Sequence, residues 1–151
     1  MLRELFDGST DQSAFILNRG DPGFLAQLDA LSAEVASARP MPGLTTVAAH
    51  VDHVLFALSL LNRWAGGEAN PFAGADWSAS WKRTHVDEPA WRDLLKRFRT
   101  EVATWQEHVK QPREYDDLTA SGTLASIAHA AYHLGAIRQI LAAQNQNHAP
   151  K

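Results

Sequence analysis

The sequence predicts an all-α fold, a four-helix bundle with a long crossover between its second and third helices, and three observations carry that reading. Apolar residues recur at helical spacing in four long segments; no stretch alternates apolar and polar residues as a half-buried strand would; and the seven Pro and nine Gly fall mostly between the four segments. With 151 residues, 45% of them hydrophobic, the chain has the size and apolar content for one core. A single domain over residues 1–151 is expected.

Residues 2–6 have the composition of a short helical turn, which Asp7-Gly8-Ser9-Thr10 interrupts, and residues 13–17 are too brief to assign. The first long helix is expected from Asp21-Pro22, where Asp21 caps and Pro22 suits the first turn, to about Ala38, before Arg39-Pro40-Met41-Pro42-Gly43 stops it. Its stripe is Phe24, Leu25, Leu28, Leu31 and Val35. The second helix should run from Thr45 or Thr46 to Trp64, ended by Gly66-Gly67, with Val47, His50, Val54, Ala57, Leu58 and Leu61 on one face. Residues 68–87 form a connection of unusual length for a compact domain, and Trp77 and Trp81 within it share one helical face. Those two rings either anchor the loop over the bundle or wall a pocket.

Asp87 caps the third helix and Pro89 lies in its first turn; Trp91, Leu94, Leu95, Phe98, Val102, Trp105 and Val109 make the cleanest stripe in the chain. Arg92, Lys96, Arg99 and Glu107 face the other way, and His108 is read as a solvated histidine favoured by the C-terminal dipole. Pro112 ends the helix, Ser121 or Thr123 is expected to cap the fourth, and residues 145–151 read as a polar tail.

Composition excludes several classes of function. Fourteen Lys+Arg against seventeen Asp+Glu, scattered without a basic run, give a net charge of -3 and argue against nucleic acid or an anionic membrane as partner. The absence of cysteine removes disulfides, thiolate zinc sites and a protein thiol nucleophile, so any thiol chemistry must bring its own thiol. No secretory signal and no apolar run of membrane-spanning length is present, and a cytoplasmic protein is expected.

Chemistry is concentrated in the histidines. His129 and His133 are four residues apart in an apolar helical segment, a spacing that stacks two imidazoles on one face. His50 lies on the core stripe of another helix, and the three could converge as neutral ligands with a position left for water or substrate. Zinc and nickel suit such a site best, and iron or copper also accept imidazole. His53, three residues after His50, is either an alternative ligand or a hydrogen-bond partner standing behind one. Without a metal, the same histidines would be core residues bonded to carbonyls or Tyr. HAAYH is not HExxH, since Ala130 occupies the general-base position, and the paired ExxH of a di-iron bundle is absent.

TTVAAHVDHVLFAL on the second helix and HAAYHLGAIRQI on the fourth, in that order and in a chain of this length, resemble the DinB/YfiT-like metalloprotein superfamily over about residues 21–144. The resemblance implies two antiparallel helix pairs joined by a crossover, and a three-His metal site that carries over onto His50, His129 and His133. Many relatives follow the second His of the pair with Gly-Gln; here Gly135 precedes Ala136, and Gln139 comes a turn later. Relatives include proteins similar to thiol S-transferases, which use low-molecular-weight thiols, and others described as metal-dependent hydrolases.

The resemblance therefore implies a divalent-metal-dependent enzyme acting on a small molecule, with a low-molecular-weight thiol as a candidate co-substrate. The alternative is a non-catalytic, stress-associated metal-binding bundle that works through protein contacts. Tyr132 is expected to pack, Gly135 to permit close helix packing, and Arg138 to serve the surface, an interface or an anionic substrate group. An exposed apolar face on the bundle would favour a homodimer.

Overall fold

The computed structural model describes residues 1–9, 14–112 and 116–147, and among these it contains six α-helices and no strand. The fold is all-α. Helix α1 (Leu2–Asp7) buries Leu2, Leu5 and Phe6. Its end lies directly against the start of α2 (Phe24–Asp29): a Cβ on Gly23 would sit 2.3 Å from the Gly8 nitrogen and 2.5 Å from the Phe6 oxygen. Only glycine allows that approach.

The first long helix expected from Pro22 to Ala38 is instead two short ones, α2 and α3 (Ala33–Ser37). Ser32 is extended and its Oγ accepts from the Val35 nitrogen at 3.3 Å, starting a new helix. Between the two, the Leu31 carbonyl accepts from Trp91 Nε1 at 3.0 Å. Asp21 does not cap; its Oδ2 accepts from the backbone and side-chain nitrogens of Asn18 and from Arg138.

Helix α4 (Val47–Ala65) starts where Thr46 Oγ1 accepts from the Ala49 nitrogen, and closes at Gly66-Gly67. Helix α5 (Glu88–Lys110) is capped by Asp87, whose side chain accepts from the Ala90 nitrogen, with proline in its first turn. Helix α6 (Asp117–Asn147) begins before the expected caps at Ser121 and Thr123, because Asp116 Oδ1 already accepts from the Thr119 nitrogen at 2.7 Å. It also runs through residues 145–147, where a polar tail was expected.

Helix α4 is the centre of the assembly. It packs against α3, α5, α6 and a 3-10 turn, Ala79–Trp81, carried by the crossover. Phe6, Phe24 and Phe98 form one aromatic cluster at centroid separations of 5.2–6.1 Å. Trp91, Leu94, Val102 and Trp105 of α5 meet Val51, Val54 and Leu58 of α4 and Leu134 and Ile137 of α6 in one continuous core. Trp105 Nε1 also donates to Ser126 Oγ at 3.0 Å, tying α5 to α6.

Two polar ties hold the N-terminal part. Buried Glu4 accepts the backbone N–H groups of Phe15, Ile16 and Leu17 on Oε1 at 2.7–2.8 Å; its Oε2 has no partner among the described residues. Burial alone would raise the Glu4 pKa, but the three N–H donors outweigh it and hold the carboxyl below its usual range. Arg138 of α6 donates to Asp21 and to the Pro22 carbonyl, so its role is structural. No helix among the described residues is long and apolar enough to cross a membrane.

Candidate metal centre

The packing of α6 on α4 brings four histidines together. His50 and His53 come from positions three residues apart on the inner side of α4, His129 and His133 from one face of α6. His53 Nε2 lies 3.2 Å from His129 Nε2, which lies 3.0 Å from His133 Nε2. His50 approaches from the far side of His133, with the two Nδ1 atoms 2.8 Å apart. Among the described residues the group of ligand atoms within 4.8 Å of one another is His53, His129 and His133, which takes in His53, the alternative ligand of the sequence reading, and leaves His50 beside His133. Periodicity puts both histidines near the core; the rotation of α4 against α6 decides which of them reaches His129.

Burial tunes the cluster. His133 is 1% exposed, His50 and His53 7%, and His129 is half-buried. Burial, followed by the neighbouring imidazoles, lowers the His133 pKa to about 3 and that of His53 to about 4. Burial likewise lowers those of His50 and His129. Desolvation disfavours a cationic ring, so the cluster is held neutral at pH 7, the state a metal ligand requires.

The donor set fits a divalent cation. Three imidazole nitrogens around an ion at about 2.0–2.1 Å in tetrahedral geometry lie about 3.3 Å from one another; the two short separations here, 3.0 and 3.2 Å, are close to that value. In a metal-free protein each of the three Nε2 atoms facing one point carries either a hydrogen or a lone pair, and a set of three cannot pair completely among itself. A cation removes that conflict.

The crossover closes one side. Trp81 stacks on His53 at 4.2 Å with 25° between planes and meets His50 edge-on at 5.2 Å, while Trp77 lies 5.8 Å from His53 and contacts Phe56. The tryptophans both anchor the loop and wall the cluster. Between them is Ser80, whose Oγ is 2.7 Å from His53 Nδ1. Sequence reasoning missed it, since a serine in a loop 27 positions from its partner follows no period; only the tryptophans around it marked the segment.

Two clefts reach the histidines. One, of about 370 Å³, is lined by His129, Ala57, Leu61, Phe72, Trp77, Gly122, Ala125 and Ser126. The other, of about 580 Å³, contains His50, Trp81, Tyr132, Gln139, Met41 and Leu44. Neither is lined by a charged side chain among the described residues. A third, of about 600 Å³, holds the Asp52–Arg83 ion pair and Ser80 but none of the four histidines. Tyr132 does not pack in the core: it is 69% exposed, with its ring edge-on to His133 at 5.0 Å. Gly135 permits no close packing here, since a Cβ added there would meet nothing within 4 Å.

A family model described as the DinB superfamily matches residues 19–149. That span contains all four histidines and the crossover. No curated protein and no solved structure matches the chain.

Proposed function

The chain belongs to the DinB superfamily, and from that premise we propose that it is a divalent-metal-dependent enzyme whose ion, zinc or nickel, is held by His53, His129 and His133. The observation that carries the reading is the convergence of three neutral Nε2 atoms beside an uncharged cleft. His50 acts on His133: when His133 Nε2 faces the ion, its Nδ1–H donates to His50 Nδ1, which fixes the ring. When bound, a divalent ion on three neutral ligands supplies an undiminished double charge, which favours the ionised form of a thiol or a water near neutral pH.

The protein's own residues limit the rest of the reaction. No carboxylate among the described residues lines either cleft that reaches the cluster, so none of those side chains is placed there as a general base in the manner of a zincin glutamate. His129 is the most exposed of the four and opens onto the cleft walled by Phe72, Trp77 and Leu61, which selects a substrate with an uncharged, apolar reactive end. A low-molecular-weight thiol as co-substrate supplies the sulfur that a cysteine-free chain lacks, giving S-transfer; water in its place gives hydrolysis. Exposed Leu118, Leu124 and Tyr132 on α6 make a second copy the expected protein partner.

The test is direct. Purified protein incubated with zinc or nickel should retain about one ion per chain by elemental analysis, and His129→Ala should retain close to none. Wild type that stays metal-free overturns the reading. Thiol-transfer and ester-hydrolysis rates of the loaded and stripped protein then separate the two reactions. A second reading, a non-catalytic bundle acting through protein contacts, is favoured by the exposure of Phe72 and Trp77 at the cleft rim; a loaded protein inert in both assays supports it.

A further inference from the structure

Ser80 belongs to the crossover, not to the helices that carry the histidines, and its hydroxyl is shared between two partners. Its Oγ lies 2.7 Å from the Trp77 carbonyl oxygen and 2.7 Å from His53 Nδ1. A carbonyl can only accept, so an O···O separation of 2.7 Å requires the hydroxyl hydrogen between them; otherwise two sets of lone pairs would face each other. That hydrogen is the only one the hydroxyl has. Toward His53 the Oγ therefore offers lone pairs alone, and Nδ1 must carry the ring's hydrogen. A neutral imidazole has one N–H, so Nε2, the atom 3.2 Å from His129 Nε2, is left with its lone pair facing the cluster.

We propose that Ser80 is a positioning residue that holds His53 in its Nδ1–H tautomer, with the Nε2 lone pair aimed at the point shared with His129 and His133. The inference deepens the metal reading and rests on it for its consequence, but the tautomer itself is a property of the metal-free protein. Three further observations support it. Ser80 is 6% exposed, which keeps water from taking its place. Trp81, its neighbour in the same turn, stacks on the His53 ring and opposes a flip that would exchange Nδ1 with Nε2. Asp76 Oδ1 accepts from the Ala79 nitrogen at 3.0 Å and from Ser78 Oγ at 2.7 Å, so the turn that presents Ser80 is braced by the residues before it.

The consequence is a division of labour between helices and loop. Helices α4 and α6 bring the rings together, and the loop decides which nitrogen of His53 is free to bind. Without the hydroxyl, the ring reverts toward the Nε2–H form that free histidine favours in water. A cation must then displace that proton before it binds.

Long-range 1H–15N spectra of the metal-free wild type, with His53 assigned by its loss in His53→Gln, should show the Nδ1–H form. In Ser80→Ala the Nε2–H form should gain population, and zinc affinity measured by chelator competition should fall about 10–100-fold, the usual effect of losing an outer partner of a ligand. Ser80→Thr, which keeps the hydroxyl, should restore both. An Nε2–H tautomer in the wild type, or a wild-type tautomer in folded Ser80→Ala, overturns the proposal, and the first of these does not depend on the folding of Ser80→Ala. If the wild type takes up no zinc, the metal reading fails while the spectra still decide the role of Ser80.

Discussion

Glu4 and the histidine cluster are both buried polar groups, and they meet burial in opposite ways. Glu4 Oε1 gathers three backbone N–H donors from one segment, so most of the donors the carboxylate needs are supplied by the chain itself. The cluster gathers four imidazoles whose nitrogens face mostly one another. Each of the three Nε2 atoms at one point carries either one hydrogen or one lone pair, so whichever way the hydrogens are arranged one of them is left without a partner of its own. The first arrangement satisfies Oε1 from the chain's own backbone and ties α1 to the segment before α2; the second is complete with a cation. A polar atom satisfied by backbone belongs to the fold, whereas buried ring nitrogens that cannot all be paired point to something that binds there.

Three changes would break or sharpen that contrast, and the largest effect belongs to the ligands. His53→Ala should abolish metal retention, while His50→Ala should keep stoichiometric metal and weaken it about 10–100-fold, since it removes only the hydrogen-bond partner of His133; elemental analysis and chelator competition distinguish them. The reverse pattern would place His50 among the ligands. On the other side, Glu4→Ala leaves three N–H groups without their acceptor and should lower the free energy of unfolding by about 1–3 kcal/mol in denaturant titration. Metal affinity should not change. Glu4→Gln keeps an acceptor oxygen and should cost less.

Acid should separate the two regions last and most gradually. His53 and His133 hold pKa values of about 4 and about 3 in the folded chain against 6.5 unfolded. Their contribution to stability is thus full above about pH 6.5 and is lost as pH falls through that interval, because the unfolded chain binds the protons first. The carboxyl of Glu4 is also depressed, from 4.5, so its contribution persists until pH falls below the unfolded carboxylate value and toward its lower folded one. Between pH 7.5 and 5 the metal-free protein should lose stability through the histidines while Glu4 stays ionised. His133→Gln should flatten that slope, and Glu4→Gln should leave it unchanged.

Much of this was legible in the chain. The α5 stripe from Trp91 to Trp105, its Asp87 cap and the α4 span all follow from local chemistry, because propensity, capping and periodicity agree there. The division of α2 from α3 was hidden, since the apolar repeat continues across Ser32 and only its cap and the Trp91 bond to Leu31 show that the helix restarts. The early start of α6 was hidden for a similar reason: Asp116, Ser121 and Thr123 are all competent caps, and competition among them is settled by where the segment meets its neighbours.

For the site, local periodicity alone requires that His129 and His133 share a face of one helix and that α4 turns histidine toward the core, because the 3.6-residue repeat fixes which side chains lie together within a helix. The sequence also shows that no cysteine or helix-borne glutamate could take part in the manner of a thiolate or zincin site. That His53 meets His129 while His50 stands behind His133, and that Ser80 reaches the far nitrogen of His53, follows from the packing of the whole chain. Those relations depend on the rotation of α4 against α6 and on the path of the crossover, and both are set by packing between residues far apart in the chain, which no local repeat encodes.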